Sequence, residues 1–315
     1  MSGLGTLLTG SLALEPGALD ELVARGGVPA LSGGDLPAWY RAGSVAVVPI
    51  AGALIIGSRS FAEEVRDHHG TDLDRFVIVP GATDTERFHP RADRDIGELQ
   101  DAPVLLYHGR VDRRKGVMEL LDAFALLRRA RPALRLTVSG IGPDLEAVRE
   151  RASAAEFAGA VTLTGHADYF AAAGLYRRGD VFVSPTYSEG FSNTILEAMA
   201  SGLPIVSTNA VGVVDCLTDG SNALLVEPRD VDGLASAIGR MLDDGALRRR
   251  LAHQALEEVR SLYSWHTIGR RIQEIYAGLE GTEPDTAWTA IYDPAAVTRQ
   301  TADPTCRFRA APHLL

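Results

Sequence analysis

The sequence is poor in several features that mark particular classes of protein. Cysteine occurs only at Cys216 and Cys306, which argues against a disulfide framework and against a cysteine-rich zinc site. The longest apolar run, Ser44 to Gly57, contains Pro49 and is too short to span a bilayer, so we expect a buried strand there. Met1 to Gly10 lacks the basic segment that begins a secretory leader. We therefore expect a cytoplasmic protein, compatible with peripheral contact to a membrane.

Positive charge is also scarce. The chain has 31 Lys plus Arg against 41 Asp plus Glu, a formal net charge of −10, which argues against a nucleic-acid partner. Among the basic side chains only Lys115 is a lysine. The hydrophobic fraction of 46% is ordinary for a globular chain, and the length is sufficient for about two domains. A sizeable buried core is expected.

Short apolar runs alternate with amphipathic stretches along the chain, which is typical of βαβ units and a parallel sheet. The predicted strands are Val104 to His108, Leu134 to Ser139, Val161 to Thr164, Val181 to Ser184, Pro204 to Ser207 and Ala223 to Val226. The predicted helices include Val117 to Arg129, Asp144 to Ala152, Asp230 to Leu242, Ala246 to Ser261 and His266 to Leu279. One more helix and strand, Phe61 to His68 and Phe76 to Val79, precede them. The predicted fold class is α/β.

Chemistry is expected in the loops after the strands, because ligands bind at the carboxyl ends of the strands in an open parallel sheet. The loop after the first strand, Gly109 to Gly116, contains Arg110 and Lys115 between a strand end and a helix start. A guanidinium and an ammonium in this position suit a diphosphate. The same loop taken alone is also typical of a solvated basic turn.

The loop after the strand Val181 to Ser184 leads into a helix that Ser192 is expected to cap. The amino terminus of such a helix presents free N–H groups and a positive dipole, which favour an anion. Glu189 lies before this helix and Glu197 lies within it, so two carboxylates bracket the expected anion position. Carboxylates accept strong hydrogen bonds from pairs of neighbouring hydroxyls, such as those of a sugar or a ribose.

A third loop, Ser139 to Asp144, begins like a dinucleotide-binding fingerprint, but Leu145 stands where the third glycine belongs. A tight strand-to-helix turn is the better interpretation, which disfavours a nicotinamide oxidoreductase. A phosphorylase that uses pyridoxal phosphate is also disfavoured, since it needs a Schiff-base lysine and the only lysine of the sequence, Lys115, lies in the loop that suits a diphosphate. The acidic segment Asp93-Arg94-Asp95 is interpreted as a solvated loop.

Taken in order, these segments resemble the donor domain of glycosyltransferase family 4, the retaining glycosyl transferases group 1 of the GT-B fold. The resemblance is carried by Val79-Pro80-Gly81, Asp84 to Phe88, Gly109-Arg110, Lys115-Gly116, Gly140 to Pro143, Asp180 to Pro185, Glu189 to Ala200 and Gly202-Leu203-Pro204. It implies a Rossmann-like, parallel-sheet donor domain at residues 76–280. A shortened acceptor-domain remnant at 1–75 would precede it. The tail at 281–315 contains one glycine and four prolines, which predict an irregular extension.

The resemblance also implies roles for individual residues. Arg110 and Lys115 would bind the donor diphosphate and stabilise the leaving nucleotide, and Glu189 would contact the transferred sugar, so these are the expected catalytic residues. Glu197 would accept from the ribose hydroxyls. The rest of the implied donor site is Gly109, Gly165, His166, Gly190, Phe191, Ser192, Asn193 and Thr194. His166 would lie near the base, although a lone histidine is also typical of a structural hydrogen bond. The donor would be a nucleotide sugar such as a UDP- or GDP-sugar, without metal or other cofactor.

The amino-terminal part departs from the family. About 75 residues precede the expected donor domain, which is short for an acceptor domain. Gly33-Gly34 follows no clear strand, and no histidine occurs before His68, so neither the family's glycine loop nor its histidine is assigned. Two functions stay open. One is a glycosyltransferase acting on an unknown hydroxyl acceptor, and the other is a nucleotide-sugar-binding module that needs a partner chain for the acceptor site.

Overall fold

The computed structural model describes residues 54–69, 73–157 and 159–279, which fall into two compact units. One unit contains Gly57–Phe61 and Val79–Gln273, and the other contains the remaining described residues. Residues 1–53, with Gly33-Gly34, and the carboxyl-terminal extension from residue 280 lie outside the described residues. The three-part division of the chain at residues 75 and 280 stays a prediction. No helix of the described ranges is long and apolar enough to cross a membrane.

The unit without the large sheet contains two parallel strands, β1 (Leu54–Ile56) and β2 (Phe76–Ile78). Helix α1 (Arg59–His69), whose first three residues belong to the other unit, and a 3₁₀ turn (Leu73–Arg75) connect these strands. This is the helix and strand that the sequence predicts at residues 61–79. The strand expected in Ser44 to Gly57 is described only from Leu54 onwards.

The other unit is built on a six-stranded sheet in which every strand pair is parallel. Its strands are β3 (Val104–His108), β4 (Arg135–Ser139), β5 (Val161–Gly165), β6 (Val181–Ser184), β7 (Ile205–Thr208) and β8 (Leu224–Val226). They are arranged in the order β5-β4-β3-β6-β7-β8, so the winding reverses between β3 and β6. The predicted strands are confirmed, with Leu134, Pro204 and Ala223 just before their strands instead of opening them. In a doubly wound sheet, the reversal point is where a ligand crevice is expected.

Helices cover both faces of this sheet. These helices are α2 (Val117–Arg128), α3 (Leu145–Ala152), α4 (Tyr169–Arg178), α5 (Asn193–Ala200), α6 (Val231–Asp243) and α7 (Gly245–Leu262), and a last helix, α8 (Trp265–Leu279), follows α7 in the chain. Leu105 and Tyr107 of β3 pack into one core with α2, α3 and α6, whereas Leu106 packs into the other core with α4 and α5. Successive side chains of a strand point to opposite faces, which explains this division. Helix α4 is not among the predicted helices.

Glycines press the loop after β4 against the loop after β3. Gly140 has a φ of +145°, and a Cβ at this position would lie 1.7 Å from the carbonyl oxygen of Gly109. A Cβ on Gly142 would lie 2.0 Å from the oxygen of Val111. The amide of Val111 in turn donates to Ile141 at 2.9 Å. These glycines serve close packing between two loops, which confirms the interpretation as a tight turn.

Candidate functional site

The loop after β3 is fixed by an aspartate and a tyrosine. The Asp112 carboxylate accepts from the amide of Arg114 at 2.9 Å and caps a 3₁₀ turn, Arg113–Lys115. The side-chain hydrogen bond from Arg114 lowers the pKa of Asp112 to about 2. The Tyr107 hydroxyl donates to the carbonyl oxygen of Arg110 at 2.6 Å. The Arg110 side chain is 52% exposed, with its Nε 3.5 Å from Asp112, so it starts from a fixed backbone and extends into solvent.

This loop is joined to the loop after β6. The amide of Tyr187 donates to the carbonyl oxygen of Arg114 at 2.8 Å. Gly116 has a φ of +68°, and a Cβ there would lie 2.0 Å from the oxygen of Pro185. Only glycine allows so close an approach in this backbone conformation. The two loops on either side of the reversal point therefore form one surface.

Lys115 and Glu189 meet on this surface. The Lys115 ammonium donates to the Glu189 carboxylate at 2.7 Å, and their side chains are 24% and 15% exposed. A cation and an anion that are partly withdrawn from water interact more strongly than an exposed pair. The structure thus brings two of the expected catalytic residues into direct contact.

The backbone of Glu189 is held by the segment after β7. Its amide donates to the carbonyl oxygen of Val211 at 2.9 Å. Gly212 has a φ of +79°, and a Cβ on it would lie 2.3 Å from the oxygen of Glu189. A larger residue at position 212 would push Glu189 out of place.

The amino terminus of α5 presents free donors. Within the described residues, the amides of Gly190 to Thr194 donate no hydrogen bond, and the first turn carries no acidic residue. Ser192 occupies the capping position, but its hydroxyl lies 3.2 Å from that of Thr194 and makes no side-chain cap hydrogen bond. The sequence correctly predicts Ser192 at the capping position. The capping hydrogen bond expected of its side chain does not form, because the Ser192 hydroxyl pairs with the Thr194 hydroxyl instead. Free amides at a helix start favour an anion.

The side chains of Phe191 and Asn193 pack against Gly81, which has no side chain of its own. A Cβ on Gly81 would lie 2.3 Å from the side-chain oxygen of Asn193 and 2.9 Å from the ring of Phe191. The Phe191 ring also packs against that of Tyr263, with 5.8 Å between the ring centroids. Both side chains of the expected donor site therefore lie directly against Gly81, the last residue of the segment Val79-Pro80-Gly81.

Glu197 is bound by a tyrosine. The hydroxyl of Tyr176, a fully buried residue of α4, lies 2.7 Å from Glu197 Oε2 and 3.1 Å from the carbonyl oxygen of Thr194. Burial raises the pKa of Glu197 to about 7, and the hydrogen bond from Tyr176 works against that rise. Sequence reasoning missed Tyr176. A tyrosine on the apolar face of a helix is a signal for it, because a buried hydroxyl needs a partner.

Gly165 and His166 follow β5. Gly165 has a φ of +70° with open space where a Cβ would lie, and His166 is exposed. Burial, and secondarily the neighbouring His166, lower the pKa of His108 at the end of β3. His108 Nδ1 lies 3.1 Å from the Ser139 hydroxyl. His166 is therefore near the carboxyl end of β3, on the same edge of the sheet as Lys115.

The described residues contain no group of three or more His, Cys, Asp or Glu side chains placed to hold a metal ion. Asp93 belongs to the segment that the sequence interprets as a solvated loop, and it pairs with Arg91 at 2.8 Å. The hydrogen bond from Arg91 lowers the pKa of Asp93 to about 2. Arg110 and Lys115, the two cations expected to bind a diphosphate, are both in the loop after β3.

The fold and the order of these loops match a known family. The model of glycosyl transferases group 1 matches residues 89–258. The chain belongs to this family. Among curated relatives of this group 1 chain, glycogen synthase from Mycobacterium tuberculosis is 31% identical over 225 residues, which cover 71% of the chain and 53% of that protein. D-inositol 3-phosphate glycosyltransferase from Pseudarthrobacter chlorophenolicus is 35% identical over 220 residues, which cover 67% and 52%.

The group 1 chain thus spans about half the length of these curated relatives. A solved structure, sucrose-phosphate synthase from Thermosynechococcus elongatus, matches with a TM-score of 0.67 and 27% identity. The match covers 83% of this chain and 66% of that one. Together with the family model, it confirms the predicted α/β parallel-sheet fold of the GT-B type.

Proposed function

We propose that this group 1 protein is a retaining glycosyltransferase of family 4 that transfers a hexosyl group from a nucleotide sugar to a hydroxyl acceptor without a bound metal. The observation that carries the proposal is the 2.7 Å contact between Lys115 and Glu189 where the winding of the sheet reverses. It places a cation suited to a diphosphate beside a carboxylate suited to a sugar. The family membership and the names of the curated relatives favour an enzyme over a silent binding module.

In the proposed reaction, the acceptor's hydroxyl oxygen forms a bond to the sugar's anomeric carbon while the bond from that carbon to the diphosphate oxygen breaks. Negative charge develops on the departing diphosphate oxygen, which takes up the acceptor's proton. Lys115 and Arg110 stabilise this charge. Lys115 is partly shielded from water, where a fixed cation acts more strongly on developing charge. The free amides of Gly190 to Thr194 supply further donors to the phosphate and sugar oxygens.

The two carboxylates have separate tasks. Glu189 orients the transferred sugar, since its backbone is fixed by Val211 and its side chain by Lys115. Glu197 accepts from the ribose hydroxyls, held in place by Tyr176. Gly165 and His166 lie beside the base. Both roles are assigned to carboxylates that their neighbours already hold in place.

A stereochemical assay tests the proposal. The protein is incubated with α-linked donors (UDP-glucose and GDP-mannose), candidate hydroxyl acceptors and EDTA, and proton NMR follows the first anomer formed. We expect an α-linked product first, with turnover unaffected by EDTA and strongly reduced in the control variant Glu189→Gln. A β-linked first product would contradict retention, and loss of turnover in EDTA would contradict metal independence. No consumption of any donor by folded protein would contradict transfer.

A further inference from the structure

Asp215, in the segment after β7, receives hydrogen bonds from the first turn of α1 and from Ser58, the residue before it. Its Oδ1 accepts from the amides of Arg59 at 3.0 Å and Ser60 at 3.2 Å. Its Oδ2 accepts from the hydroxyls of Ser58 at 2.7 Å and Ser60 at 2.5 Å. A carboxylate at a helix amino terminus is favoured by the helix dipole. This carboxylate therefore fixes the Ser60 hydroxyl in one orientation.

Ser60 connects Asp215 to the backbone segment that lies against Glu189 in the candidate site. Its hydroxyl oxygen accepts from the amide of Gly212 at 3.0 Å. The preceding residue, Val211, accepts from the amide of Glu189 at 2.9 Å, and Gly212 lies directly against the Glu189 carbonyl. The peptide between positions 211 and 212 thus touches Ser60 on one side and Glu189 on the other. A continuous path of contacts runs from Asp215 to Glu189.

We propose that Asp215 and Ser60 are positioning residues for Glu189, and that they set the recognition of the transferred sugar instead of the nucleotide. This inference rests on the proposed function, in which Glu189 contacts the sugar. A functional carboxylate must be held to within about 0.5 Å by its supporting shell. Lys115 restrains the Glu189 side chain, whereas the path from Asp215 restrains its backbone. Glu197 and Arg110 are held by Tyr176 and by Tyr107 with Asp112, outside this path.

Ser58 offers a matched control. Both serine hydroxyls donate to the same oxygen of Asp215, and Ser58 also accepts from the amide of Phe61 at 2.9 Å. Only Ser60 reaches Gly212. Ser58→Ala and Ser60→Ala should therefore lower stability by similar amounts, while only Ser60→Ala releases the segment that supports Glu189. Ser60→Thr keeps the hydroxyl and should restore the wild-type behaviour.

The experiment compares each nucleotide with its sugar form. Calorimetry with UDP and UDP-glucose, GDP and GDP-mannose, and ADP and ADP-glucose gives the ratio of nucleotide-sugar to nucleotide affinity. In Ser60→Ala we expect this ratio to fall about fivefold or more, the order expected for one hydrogen bond, with nucleotide affinity unchanged. Ser58→Ala should keep the wild-type ratio.

The outcomes separate the inference from the function on which it rests. Wild-type binding together with an unchanged ratio in Ser60→Ala would overturn the positioning role and leave the donor site standing. No binding of any probe to the folded wild type would overturn the proposed function, and the inference with it. Gly212→Ala tests the path from its other end, should Ser60→Ala not fold. A wild-type ratio in folded Gly212→Ala would also overturn the positioning role.

Discussion

Lys115 donates to Glu189 across 74 positions of the sequence, and the bond joins the loops after two neighbouring strands, β3 and β6. Each group neutralises the charge of the other. A diphosphate bound beside Lys115 would share its ammonium with Glu189, so the ammonium would lie between the phosphate and sugar parts of the proposed site. In this position the geometry of Lys115 matters, and not only its charge.

Lys115→Arg should lower nucleotide binding or transfer by about tenfold or more, equivalent to about 1.4 kcal/mol. The guanidinium is a wider planar group than the ammonium, so it fits poorly in a position that is 24% exposed and already paired with Glu189. The matched control is Arg113→Lys, the reverse exchange at a side chain that is 82% exposed. It should leave binding unchanged. Wild-type binding in Lys115→Arg would show that this lysine is incidental.

The two carboxylates should respond differently to removal. At pH 8, where Glu197 is ionised, Glu197→Ala should weaken nucleotide binding by about 1.5 to 3 kcal/mol, the usual effect of losing a charged hydrogen-bond partner. Glu189→Ala should mainly lower the rate of transfer at saturating donor. Tyr176→Phe, which removes the hydroxyl bound to Glu197, should weaken nucleotide binding less than Glu197→Ala. Titration with UDP, GDP and ADP measures the nucleotide affinities, and the transfer assay at saturating donor measures the rate of Glu189→Ala. Unchanged nucleotide affinity in Glu197→Ala would contradict the ribose assignment.

Glu197 should also make stability depend on pH. Burial raises its pKa from 4.5 to about 7, so the folded protein holds this proton more tightly than the unfolded chain. The stabilising contribution is complete below about pH 4.5 and is lost as the pH rises through about 7. Glu197→Gln stays neutral, so its stability relative to wild type should be about 2 kcal/mol greater at pH 8 than at pH 5. Urea denaturation at both pH values measures this, and an equal difference at both would refute the raised pKa.

The regular elements could be predicted from sequence, whereas the contacts between loops could not. β3 and β6 have their predicted bounds because each is an apolar run with clear polar ends. Lys115 and Glu189 are both expected at the site, but their contact depends on the backbone at Gly116, which no local pattern reveals. Asp215 gives no sequence signal at all, because its serine partners lie 155 and 157 positions away.

Gly140→Ala should destabilise the fold by about 3 kcal/mol or more, because the added Cβ would overlap Gly109 at 1.7 Å in a backbone conformation that disfavours alanine. Gly159→Ala is the control for conformational strain without a clash, since Gly159 has a φ of +73° and nothing within 4 Å of a Cβ. It should cost about 1 kcal/mol. Urea denaturation ranks the two variants. Similar losses of unfolding free energy in both variants would mean that the close packing of the loops after β3 and β4 contributes little to stability.

Calorimetric titration of the wild-type chain with UDP, GDP and ADP in the presence of EDTA tests the central claim most directly. The claim is that the surface formed by the loops after β3 and β6 binds the nucleotide part of a sugar donor without metal. We expect saturable binding of at least one of the three nucleotides, weakened in Lys115→Arg and unchanged in Arg113→Lys. No binding of any of them to protein that circular dichroism shows to be folded would contradict the donor site.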